Sequence, residues 1–231
     1  KSSNQKQITY GHIIHREWAV ITKPLVFSFL AGIFLGIYFL TWTGALLFVF
    51  ILAIYFVIQF VIDHLKHQPS DYLVIVGVAL LFITIIIFVL FEHGALQLGS
   101  LIIALLMPLI LTGISRLVKR RGLKPFYYPL ALVVVGLVGL GIFYVISPAF
   151  LKLMLNQFII FSPTGPGTTT LEMQPLFSFG FRLPWNIFTA SFFLSIVALL
   201  ILVYLVVKQG TADKSLLVVW SLVILAATMG Q

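Results

Sequence analysis

The sequence predicts an all-α fold, a polytopic bundle of about seven membrane-crossing helices. Three observations carry that reading. Of 231 residues, 61% are apolar and 9% are charged, too few charges for a water-facing surface of this size. Apolar runs of helix-crossing length recur along the whole chain, and the mean hydropathy is +1.16. The short alternating segments of an outer-membrane barrel are absent from the sequence.

A hydrocarbon core of about 30 Å takes roughly 20 helical residues to cross. Segments that qualify fall at about 24–41, 44–62, 72–91, 95–115, 126–146, 186–207 and 215–230. The first two are parted only by "TWTG" (41–44), where Trp42 and Gly44 suit a tight turn at the membrane interface. Pro24 is expected to open the first crossing. Gly32 and Gly36, four apart, allow close helix approach, and Gly136, Gly139 and Gly141 are expected to do the same. Pro108 predicts a kink in the fourth helix. Before the first crossing, "ITYGHIIHREWAVI" (8–21) is expected to lie along the membrane surface.

The chain carries a net charge of +8, and with the amino-terminal end in the cytoplasm twelve of its fourteen Lys and Arg fall on the cytoplasmic side. "RLVKRRGLK" (116–124) is the main anchor of that orientation. Orientation explains the positive charge better than nucleic acid does, because no basic patch interleaved with aromatics is seen. Cysteine is absent, which excludes disulfides, thiolate metal sites and a cysteine nucleophile. The chain starts at Lys1 and ends at Gln231 in an apolar stretch, and an internal transmembrane piece of a longer protein, spanning 1–231, is expected.

This topology places 147–185 outside the cytoplasm as a long loop. Its first part, "AFLKLMLNQFIIF" (149–161), suits a short interfacial helix, and its second part is rich in Gly, Pro, Ser and Thr, which disfavours regular structure. Glu172 is the loop's only carboxylate, beside Thr168, Thr169, Thr170 and Gln174. A carboxylate there can ligate a hard cation or accept hydrogen bonds from an amide. Read from residues alone, a solvated loop residue is the preferred reading. The pairs His12/His15 and His64/His67, the second near Asp63 and Asp71, have metal-ligand spacing, but a short wet loop with a solvated face is the expected setting of His64/His67. No ionisable group is expected deep in a helix, which weighs against a pump or ion-coupled transporter.

"TTLEMQP" (169–175) resembles the loop motif of oligosaccharyltransferase catalytic subunits of the archaeal and eukaryotic type. Thr169, Glu172, Gln174 and Pro175 match that motif, and Thr170 departs from it in place of an aliphatic residue. "LAGIFLGIYFLTWTGALLF" (30–48) is similar to the family's helical hairpin with its Trp-x-Gly turn, and "AATMGQ" (226–231) to a helix that precedes a phosphate-contacting arginine. The order of five helices, a long outer loop and two helices also resembles the middle of these enzymes.

The resemblance implies a partial GT-C-type glycosyltransferase membrane domain in the cell membrane, or in the endoplasmic reticulum if the source is eukaryotic. It implies transfer of a lipid-linked oligosaccharide, on a polyprenyl or dolichyl phosphate carrier, to asparagine in an acceptor polypeptide bearing a sequon. Glu172 would be a catalytic residue and a ligand of Mg²⁺ or Mn²⁺, with Thr169, Thr170 and Gln174 as substrate-loop residues. The family's aspartate motifs and soluble Trp-Trp-Asp domain would lie outside this stretch, so the fragment alone is expected to be inactive. Two alternatives stand beside this reading: another lipid-phosphate-sugar glycosyltransferase, and a polysaccharide or lipid transporter.

Overall fold

The computed structural model describes residues 9, 18–42, 45–92, 94–156, 185 and 188–230. No strand occurs among them. The regular elements are helices α1 (Trp18–Thr41), α2 (Leu46–Leu65), α3 (Asp71–Phe91), α4 (Ala95–Arg120), α5 (Tyr127–Ile146), α6 (Pro148–Asn156), α7 (Ala190–Gln209) and α8 (Ala212–Gly230). Six of them, α1 to α5 and α7, are long and apolar enough to cross a membrane. The seventh expected crossing corresponds to α8, whose first turn carries Asp213 and Lys214. Large side chains such as Phe34, Leu90 and Val145 face outward from these helices, as lipid-facing residues do. The chain divides into two compact units, Lys1–Val138 and Gly139–Gln231.

In the first unit, α1 packs on α3, α3 on α4, and α4 on α2. The α1–α3 seam follows from the glycines. A Cβ at Gly32 would stand 2.5 Å from the Leu80 carbonyl oxygen, and one at Gly36 would stand 2.9 Å from Ile87 Cβ. The missing side chains let the backbones close, and Thr84 Oγ1 donates to the Gly32 carbonyl across the seam at 3.1 Å. Phe39 and Phe88 meet edge to face nearby, their ring centroids 5.9 Å apart. Gly77 of α3 plays the same part toward α2, since a Cβ there would fall 2.6 Å from the Phe56 ring.

Two expectations about glycine and proline change. A Cβ at Gly136, Gly139 or Gly141 meets nothing within 4 Å among the described residues, so these glycines seat no neighbour. Among the described residues of α5, only Tyr128 is buried. Pro24 does not open α1: the helix is already formed at Trp18, and Pro24 lies inside it. Proline lacks an amide hydrogen, so the helix gives up one backbone bond at Pro24, which membrane helices tolerate; one turn on, Ser28 Oγ donates to the Pro24 carbonyl at 2.7 Å. Pro108 is buried within α4, which continues on both sides of it.

The turns have identifiable chemistry. After α1, Trp42 N–H bonds the Tyr38 carbonyl and Ala45 N–H the Trp42 carbonyl, and the break between α1 and α2 falls where the sequence places it. Gly122, at φ +62°, ends α4: its amide bonds the Lys119 carbonyl and the Leu123 amide bonds the Val118 carbonyl. His67 ends α2 by the same pattern, with its amide on His64 and the Gln68 amide on Asp63, although it is not glycine and sits at φ +55°.

In the second unit, α7 packs on α8 through a hairpin at Gly210, which takes φ +69° and bonds the Val206 carbonyl at 2.7 Å. Phe192, Val206, Val219, Val223 and Ala227 are its buried apolar residues. Helix α6 occupies the start of the segment expected to form a short interfacial helix.

Candidate functional site

The loop residues Thr169, Thr170, Glu172 and Gln174 lie outside the described residues, as do Arg182, His12, His15 and His93. What the structure describes of that loop is its edges: α6 on one side, with Lys152, and an exposed Trp185 on the other. The Trp185 ring lies 5.9 Å from that of Phe193 at the start of α7.

The described residues assemble a different polar centre, at the end of the first unit where α2 turns into α3 and α4 into α5. Asp63 and His64 occupy the last turn of α2 and are both buried, at 0% and 4% exposure. This corrects the expectation of a wet loop with a solvated histidine face. The physical reason lies in the face each residue takes. Gln59 and Asp63 are one helical turn apart and point together toward α3, while His64 points toward α4 and α5. His64 and His67 do not form a pair on one face, because the helix has ended and the chain has reversed hand at His67.

Around Asp63 the hydrogen bonds close into a triangle. Gln59 Nε2 donates to Asp63 Oδ1 at 2.7 Å and to the Tyr72 hydroxyl at 3.2 Å, and that hydroxyl donates to Asp63 Oδ2 at 3.0 Å. The amide uses one N–H for each bond, and the phenol accepts once and donates once. Both carboxylate oxygens are thereby satisfied, as a buried carboxylate requires. Beside it, His64 Nδ1 and Ser115 Oγ lie 2.8 Å apart, and the imidazole stacks on the Tyr128 ring with centroids 4.2 Å apart and planes 15° apart. The Tyr128 hydroxyl donates to the Leu111 carbonyl at 3.2 Å. Four helices thus meet through side chains that are each held by the others.

Charge surrounds this centre at the helix ends. Lys119 and Lys66 lie near enough to act electrostatically on Asp63. Arg116 and Asp71 form an ion pair at 3.7 Å. No group of three or more His, Cys, Asp or Glu that could hold a metal occurs among the described residues. The carboxylate accepts from uncharged donors within the bundle, so the three side chains form a closed hydrogen-bonded ring. One sequence signal did point to it. Gln59 is the only strongly polar residue in the apolar run 44–62, and it stands four residues before Asp63.

Comparison with known proteins bears on the chain as a whole. No protein-family model matches the chain. No solved structure matches it either. Over 241 aligned residues, covering 96% of the chain, it is 23% identical to the dolichyl-phosphooligosaccharide-protein glycotransferase 3 of Archaeoglobus fulgidus. The chain covers 28% of that protein's length. The chain is therefore distantly similar to an archaeal protein glycotransferase of the oligosaccharyltransferase kind, which supports the family resemblance carried by "TTLEMQP". Its membrane-length helices and this similarity together support a multi-pass membrane protein.

Proposed function

We propose that this chain is membrane-embedded sequence of an oligosaccharyltransferase catalytic subunit, which transfers a lipid-linked oligosaccharide to asparagine side chains of acceptor polypeptides. The observation that carries the reading is the similarity to a protein glycotransferase along 96% of the chain. The loop sequence "TTLEMQP" supplies a residue suited to the chemistry.

An asparagine side-chain nitrogen is a poor nucleophile, because its lone pair is delocalised into the carbonyl. A carboxylate that accepts hydrogen bonds from both amide N–H bonds favours a geometry in which that conjugation is weaker. Glu172 is the acceptor in this proposal, with Thr169, Thr170 and Gln174 as polar neighbours that orient the peptide and hold the nitrogen in line with the anomeric carbon. A Glu carboxylate is also the hard oxygen donor that Mg²⁺ or Mn²⁺ takes, and further oxygen donors would come from outside the described residues. When bound, such a cation would supply Lewis-acid polarisation of the sugar-pyrophosphate leaving group. The excess of Lys and Arg on one side of the helices supports an orientation with the amino-terminal end cytoplasmic and the 147–185 loop on the opposite side.

The test uses the whole protein in membranes, a polyprenyl-linked oligosaccharide and a peptide bearing an asparagine sequon. Mass spectrometry of the peptide is expected to place the glycan on asparagine. Glycan on serine or threonine would move the protein to another class of lipid-phosphate-sugar transferase. Passage of the glycolipid across a vesicle with no peptide product would make it a transporter.

A further inference from the structure

We propose that the end of the first unit formed by the α2–α3 and α4–α5 turns is a docking surface for anionic phospholipid headgroups of the bilayer. Orientation of the chain requires only that positive charges be numerous on one side. The structure shows more than number. The α4–α5 turn carries Arg116, Lys119, Arg120, Arg121 and Lys124 within nine residues, and the α2 terminus adds Lys66. His64 at the end of α2 lies against Ser115 of α4 and stacks on Tyr128 of α5, which puts the two helix ends in one place. The acidic residues there are already engaged by the chain itself: Asp71 pairs with Arg116 at the surface, and both oxygens of Asp63 accept from Gln59 and Tyr72. The net positive charge of this end calls for an external anion.

Depth identifies the source of that anion. Helix α4 has 26 residues and is about 39 Å long, against a hydrocarbon core of about 30 Å. With Ala95 at one interface, the turns from Arg116 onward reach the headgroup layer of the other. Apolar side chains stand among the cations: Leu117, Leu123, Phe126 and Tyr127 are all exposed, Phe126 at 78%. A surface that alternates cations with exposed aromatic and aliphatic groups at that depth fits a phospholipid, whose phosphate meets the charges and whose acyl chains meet the rest. The Gly122 turn holds Lys119 and Lys124 in a fixed arrangement through the hydrogen bonds at the end of α4. The proposal is independent of glycan transfer.

The experiment reconstitutes the whole protein in nanodiscs of phosphatidylcholine containing phosphatidylglycerol, then quantifies retained lipid by native mass spectrometry across a salt series. Phosphatidylglycerol is expected to be enriched over phosphatidylcholine, and the enrichment to fall with salt. The variant Arg120→Gln/Arg121→Gln/Lys124→Gln is expected to weaken this retention about tenfold or more, whereas Lys208→Gln in the second unit leaves it unchanged. The sequence has no cysteine, so a single introduced cysteine reports orientation by labelling. Should the triple variant fail to insert, Arg121→Ala/Lys124→Ala, which keeps three of the five cations, is measured instead with the same expectation at smaller size. Equal retention of the two lipids by the wild type overturns the proposal. So does loss of retention in Lys208→Gln as large as in the triple variant. Binding of soluble inositol hexakisphosphate as tight as that of the lipid would point to a soluble polyanion and also overturns it.

Discussion

The Tyr72 hydroxyl donates to Asp63 Oδ2 at 3.0 Å, tying the first turn of α3 to the last turn of α2, where Asp63 is fully buried. Removing the donor leaves a buried carboxylate short of one partner. Tyr72→Phe is expected to destabilise the protein by about 1–3 kcal/mol. Asp63→Leu combined with Tyr72→Phe should cost less than the two single changes added together, because the lone buried charge is gone. Thermal unfolding of the purified protein in detergent measures both, and strict additivity would show that the two groups do not depend on each other.

The α1–α3 seam gives a second prediction. At Gly32 an added Cβ would stand 2.5 Å from a backbone oxygen, which has no rotamer by which to yield. Gly32→Leu must therefore push the helices apart, at a cost of about 1–3 kcal/mol or more, and weaken the Thr84 bond as well. Gly136→Ala, where nothing lies within 4 Å, is expected to change stability little or slightly raise it. Comparable melting temperatures for the two variants would contradict the seam.

His67 offers a change in the opposite direction. Its left-handed backbone, at φ +55°, is the conformation glycine adopts at a helix end without a Cβ penalty. His67→Gly is expected to stabilise the protein by about 1 kcal/mol while keeping both turn hydrogen bonds. A fall in melting temperature would show that the imidazole contributes more than its backbone strain costs.

Part of this structure is written in local sequence and part is not. Apolar runs, the Trp42 turn and the Gly32/Gly36 spacing depend on neighbouring residues, and each is found where the sequence places it. The polar centre depends on partners far apart in the chain. "DHLKHQPS" (63–70) is mostly polar and reads as loop, yet Asp63 and His64 are still helical and face inward to groups on three other helices. Hydropathy averages over helix faces and does not register that Asp63 and His64 turn inward while Leu65 and His67 are exposed. The glycines of α5 mislead for the opposite reason: small residues permit close packing but do not create a partner. Pro24 likewise signals a helix start only when the preceding turn is not itself helical, and here it is. The carboxylate of the candidate loop was legible only through the pattern around it, since Glu172 by composition is no different from a solvated loop residue.

The central claim is that Glu172 acts in glycan transfer. The most direct measurement is the rate of asparagine glycosylation by the whole protein with Glu172→Gln, across a titration of Mg²⁺ or Mn²⁺. Transfer is expected to fall by about a hundredfold or more, with a higher metal requirement and an unchanged melting temperature. Turnover and metal dependence equal to those of the wild type would contradict the account.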